Sequence, residues 1–163
     1  MADEWDAQVA AVWADHELSD ADRIARIDAL AATLDEGDAR GLFERAGARD
    51  SAGIEAEAEP LYRRALAAGL DEYRRARAVI QLASTLRNLG RTDEALGMLR
   101  EEFDRGPEAP LHDAAAAFYA LALVSSGDAV AAASVALKAL APHLPRYNRS
   151  VAAYADDLLS ERD

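Results

Sequence analysis

Apolar residues return at steps of three and four along most of the chain, and runs alternating with period two are missing. The segment 71–88 shows the pattern most clearly. At about 100° per residue, Val79, Leu82, Ala83 and Leu86 fall on one side of a helix, and Arg74, Arg77, Gln81, Ser84, Thr85 and Asn88 form a stripe on the other. Alanine, leucine, arginine and glutamate, all strong helix formers, dominate the composition. Breakers at Ser19–Asp20, Gly37–Asp38, Gly53, Gly69, Gly90, residues 106–110, Gly127, Pro142 and Pro145 cut the chain into segments joined by short connections. The pattern predicts an all-α protein of about eight helices.

Three of the breakers are periodic. Gly53, Gly90 and Gly127 stand 37 residues apart, and each is followed five residues later by alanine (Ala58, Ala95, Ala132) and preceded by seven by another (Ala46, Ala83, Ala120). At nine after the glycine come Tyr62, Leu99 and Ala136, and at thirteen Leu66, Phe103 and Leu140. Antiparallel helices approach closely only where small side chains face each other, so the alanines mark the close contact and the larger residues the filling between pairs. A glycine at each corner suits a helix end that needs a left-handed backbone.

The spacing of Val79, Leu82, Ala83, Leu86, Gly90, Ala95, Leu99 and Phe103 resembles the tetratricopeptide repeat. The resemblance covers residues 39–145 in three copies and implies a right-handed α-α superhelix of antiparallel helix pairs, whose concave groove is lined by the first helix of each pair. The unit here is 37 residues rather than the usual ~34. Arg45 and Arg49 occupy positions where large apolar residues are usual, Glu102 replaces a small residue that Ala65 and Ala139 keep, and Pro60 falls inside a second helix, where it should bend it. Residues 1–36 form either a degenerate fourth copy or a capping hairpin. Trp5, Val9 and Val12, followed by Ala21, Ala25 and Ala29, lie near the repeat register, and Ser19 with Asp22 reads as a helix start. Residues 37–145 hold the three pairs, residues 146–163 a capping helix, and the whole is expected to be one domain.

Charge narrows the choice of partner. Thirty acidic against 18 basic residues give a net charge of −12, which opposes nucleic acid and anionic membrane surfaces. Residues 61–100 reverse the balance, with 8 basic and 4 acidic groups. Cysteine is absent, so disulfides and thiolate chemistry are excluded. No apolar run approaches the ~20 residues that span a bilayer, and the expected location is the cytoplasm.

Catalytic motifs are missing: there is no phosphate-binding glycine loop, no paired-histidine zinc motif and no nucleophile elbow. His16, His112 and His143 stand at separate corners, and Asp35, Asp38 and Glu44 do not have calcium-loop spacing. No cofactor, metal or enzymatic activity is expected. In a tetratricopeptide stack the stripe on 71–88 would be groove wall. The neighbouring walls would be Arg40, Glu44, Gly47, Ala48 and Ser51 in the first copy, and Phe118, Leu121, Ala122 and Ser125 in the third. The expected function is an adaptor or scaffold binding a peptide through Arg40, Arg74, Arg77, Gln81, Ser84, Asn88, Phe118 and Leu121. Its ligand would set a carboxylate near Arg40 and Arg77 and an apolar anchor on Phe118 and Leu121. The alternative is a homo-oligomer, such as a homodimer, formed through apolar positions left exposed around Phe118, Leu121 or Tyr147.

Overall fold

The computed structural model describes residues 4–160 as nine α-helices and one 3₁₀ turn, with no strand among those residues. The helices are α1 (Glu4–Ala14), α2 (Asp20–Ala31), α3 (Ala39–Ser51), α4 (Glu55–Ala68), α5 (Glu72–Asn88), α6 (Thr92–Phe103), α7 (His112–Ser125), α8 (Ala129–Leu140) and α9 (Asn148–Ser160), with the turn at Ala141–His143.

Helices α3, α5 and α7 end in the same way. Gly53, Gly90 and Gly127 adopt φ of 72°, 81° and 91°. Each glycine N–H donates three residues back, to the carbonyls of Asp50, Arg87 and Val124. The next N–H reaches five residues back, from Ile54 to Arg49 at 2.9 Å, from Arg91 to Leu86 at 2.8 Å and from Asp128 to Leu123 at 2.8 Å. This is the Schellman cap, which satisfies carbonyls left over at a helix end and needs a residue free of a Cβ clash. The partner helices then begin at 55, 92 and 129, two residues beyond each glycine.

The alanines of the repeat are buried in all three copies: Ala46, Ala83 and Ala120 before the corner, and Ala58, Ala95 and Ala132 after it. The larger positions keep the register less well. Tyr62 and Leu99 are buried, but Ala136 and Leu140 of α8 are exposed.

The chain divides into two compact units, residues 1–85 and 86–163. In the first, α2 packs against α1 and α3, and α3 against α4. Trp5, Val9 and Val12 of α1 meet Ile27 of α2 and Ala48 of α3, flanked by Trp13, Leu18, Ile24, Leu30 and Leu34. The Trp5 indole N–H donates to the Leu30 carbonyl at 3.0 Å. Ser19 caps α2 as expected, its Oγ accepting from the Asp22 N–H at 3.1 Å. Ala21, Ala25 and Ala29 do not take the repeat's inward positions: all three are exposed, and the bulkier Ile24 and Ile27, with Ala31, face inward instead. Helix α4 runs unbroken through Pro60.

Arg45 and Arg49 are accommodated by ion pairing in place of apolar packing. Arg49 grips Asp28 of α2 with both terminal nitrogens, at 3.0 and 2.9 Å, and its Nε reaches Glu57 of α4 at 3.3 Å. Arg45 Nε adds a bond to Asp28 at 3.0 Å. Burial works against the ionised Asp28, but the hydrogen bonds and charges of Arg49 and Arg45 outweigh it and hold its carboxyl below the usual range.

In the second unit α7 packs against α6 and α8, and α8 against α9. The Phe103 ring stacks on His112 at 5.0 Å and tilts against Tyr119 at 5.7 Å. Lys138 of α8 reaches Asp156 of α9 at 2.6 Å, and the exposed His143 meets Asp113 at 2.9 Å. Glu102, in the place of a small residue, is buried beside Arg105.

Candidate functional site

One cleft in the first unit gathers polar groups from three helices. Glu44, Gly47, Asp50 and Ser51 recur at helical spacing on one face of α3, with Phe43 at its side. Trp13 comes from α1, and Arg77 and Gln81, four residues apart, come from α5. The cleft measures about 220 Å³. Gly47 keeps it open: a Cβ there would stand 3.5 Å from the Trp13 ring and 3.9 Å from the Tyr62 hydroxyl, within ordinary contact.

Its two carboxylates are held by neutral donors. Glu44, 6% exposed, accepts the Trp13 indole N–H on Oε2 at 2.7 Å. Asp50 accepts the Tyr62 hydroxyl at 3.2 Å and the Thr85 hydroxyl at 3.0 Å. Burial pushes the Glu44 carboxyl up, against the Trp13 hydrogen bond and the charges of Arg77 and Arg74. Burial likewise pushes Asp50 up, against its bonds from Thr85 and Tyr62. The Tyr62 hydroxyl is pushed up by burial and by the Asp50 charge beside it. Arg77 lies over the Phe43 ring, 4.9 Å from its centroid, in a cation–π contact. On the same wall, the side-chain oxygen of Gln81 is buried with no donor.

The residues expected to form a binding stripe take different places. Arg77 and Gln81 line the cleft, as do Glu44, Gly47 and Ser51 of the first-copy wall. Arg74 is committed within the unit, to Asp6 of α1 at 2.6 Å and to Asp71 at 2.8 Å. Arg40 also approaches Asp6, at 3.9 Å, and lies over the Trp5 ring at 5.1 Å. Ser84 is half-buried. Thr85 does not face solvent: it is fully buried, its hydroxyl turned to Asp50. Asn88, Phe118 and Leu121 belong to the second unit, where Asn88 is exposed, Phe118 half-buried and Leu121 47% exposed.

Trp13 and Asp50 were not legible as site residues. Trp13 lies outside the repeat register, and Asp50 is one of 30 acidic residues with no motif to single it out. The Glu44–Gly47–Asp50 spacing was the one available signal.

A larger cavity of about 300 Å³ lies between α2 and α3, bordered by Asp28, Asp38 and Arg45. Its main polar groups are already engaged. Asp28 holds the two arginines, and Asp38 caps α3 by accepting from the Arg40 and Gly41 N–H groups at 2.9 and 3.2 Å. Among the described residues no group of three or more histidines and carboxylates could hold a metal ion, and no helix is long and apolar enough to cross a membrane.

The chain belongs to the tetratricopeptide repeat family, whose pattern, described as tetratrico peptide repeat, it matches over residues 39–158. The match opens at α3 and runs into α9, so α1 and α2, which supply Trp13 and the Asp6 and Asp28 pairs, lie outside it. No curated protein matches the chain. The family's general role is protein–protein interaction, and it is generally non-catalytic.

Proposed function

We propose that this protein is an adaptor that binds a segment of a partner polypeptide, and that the cleft bordered by Glu44, Asp50, Arg77 and Gln81 is its principal contact. The observation that carries the reading is the cleft itself: polar groups from α1, α3 and α5 converge on a space kept open by Gly47. Its volume is below the ~300 Å³ at which small-molecule pockets usually begin, which suits one side chain of an extended peptide. Arg77 and Gln81 are the contacts retained from the polar stripe of α5. Arg40 and Arg74 hold α1 in place through Asp6 and so shape the cleft without touching the ligand. The α1–α2 hairpin serves as an added wall and cap.

Panning a random peptide library against the protein and against Gly47→Leu tests this reading. Peptides that bind the wild type and are lost on filling the cleft support it. A library that yields no binder, or binders indifferent to Gly47→Leu, overturns it.

A second reading is favoured by one observation in the other unit. Leu121 and Val124 of α7 are 47% and 55% exposed, and Tyr147 and Tyr154, at and within α9, are 72% and 69% exposed. Apolar side chains left open to water suit contact with a second copy of the chain. Sedimentation at two concentrations decides it: a single monomeric species at both removes the homo-oligomer.

A further inference from the structure

We propose that the cleft of the first unit selects a basic side chain, arginine or lysine, on its partner polypeptide. The inference rests on the peptide-binding reading and names the chemistry of its occupant.

The chain pairs its partly buried charges. Asp28 takes Arg45 and Arg49, while Asp6 and Asp71 take Arg74. The cleft departs from that habit. Among the described residues, neither Glu44 nor Asp50 has a cation at ion-pair distance, and their partners are an indole, a phenol and an alcohol. Removing a carboxylate from water without a counter-charge is costly, and the cost falls when a cation arrives.

Arg77 does not fill this role. It lies over the Phe43 ring and its charge acts on Glu44 without reaching ion-pair distance, and it leaves the lining of two carboxylates and one guanidinium with a net charge of −1. Hydrogen-bond accounting agrees with the charge. Glu44 accepts one bond where an ionised carboxylate offers about four sites, and the buried oxygen of Gln81 has none. Both groups thus keep acceptor sites open, beside the donors that Arg77 and the Gln81 amide bring to the same lining. A guanidinium brings five donors and an ammonium three, and neither brings an acceptor. An acidic anchor, the expectation from the arginine stripe, would meet Glu44 and Asp50 at close range, while Arg40 and Arg74 are already held by Asp6.

The site also carries the mark of a function kept at a cost to stability. Burial opposes the charge on Glu44 and Asp50, and at Glu44 it outweighs the opposing charges of Arg77 and Arg74.

The test uses the full chain and the same random peptide library, panned in parallel on the wild type, Glu44→Gln and Asp50→Asn. Both substitutions keep the side-chain shape, and circular dichroism verifies the fold. We expect arginine and lysine to dominate one position of the wild-type pool, and a selected peptide to lose at least tenfold in affinity on either variant. Its affinity should also weaken with added salt. A pool that depends on the cleft, being lost in Gly47→Leu, but lacks a basic position overturns this inference and leaves the peptide-binding reading standing. So does a pool enriched in aspartate or glutamate, which would assign the anchor to Arg77. A pool indifferent to Gly47→Leu overturns both.

Discussion

The Trp13 indole N–H donates to Oε2 of Glu44 at 2.7 Å, joining α1, outside the matched repeats, to the first repeat helix. The bond orients a carboxylate that burial has pushed towards its neutral form, although Arg77 and Arg74 pull the other way. A carboxyl whose pKa is raised on folding holds its proton more tightly folded than unfolded. Its contribution to stability is thus fullest below the ordinary carboxylate value and is lost as pH rises through the raised one. Glu44→Gln, which keeps an acceptor for the indole, should therefore be more stable than wild type in urea at pH 7. The advantage should shrink as pH falls to about 4. A variant less stable at pH 7 would mean that the arginine charges outweigh desolvation.

Asp28 carries the opposite sign. Its pKa is lowered on folding, so its contribution is present above the ordinary carboxylate value and is lost as pH falls through the lowered one. Asp28→Asn leaves Arg49, with 12% of its side chain exposed, without its bidentate partner. The expected cost at neutral pH is about 1–3 kcal/mol, vanishing in acid. Equal thermal melts of variant and wild type at pH 7 would show that Glu57 alone suffices for Arg49.

Gly90 and Gly97 should respond in opposite directions. Gly90 holds φ at 81°, so Gly90→Ala should cost about 1 kcal/mol through Cβ strain. Gly97 lies inside α6 where a methyl group would meet nothing within 4 Å, so Gly97→Ala should add roughly 0.5–1 kcal/mol. Chemical denaturation of both variants compares them directly, and the same sign for both would contradict the cap geometry.

Thr85 couples α5 to α3 through Asp50. Thr85→Val keeps the shape but removes one of the two donors to a buried carboxylate, at an expected cost of about 1–2 kcal/mol. Thr85→Ser should keep the bond and most of the stability. Indistinguishable urea midpoints for the two variants would show that the hydroxyl contributes nothing.

Period and helix type were legible along the chain because they are local properties. The 37-residue spacing of Gly53, Gly90 and Gly127 declared three corners, and each became a Schellman cap at a positive φ. The alanines around them declared the close contacts, and all six are buried. Sequence alone therefore determined an all-helical protein of tetratricopeptide type. Which charges remain available was decided only by tertiary structure, because an arginine's partner can stand on a distant helix. Asp6 approaches Arg40 across 34 residues and binds Arg74 across 68, while Arg77, three residues beyond Arg74, settles over an aromatic ring. Thr85 shares a helical stripe with these arginines by periodicity, yet it is fully buried with its hydroxyl on Asp50 of α3. The stripe read as cationic thus becomes, after pairing, the wall of a cleft whose two carboxylates, Glu44 and Asp50, have no cation at ion-pair distance among the described residues.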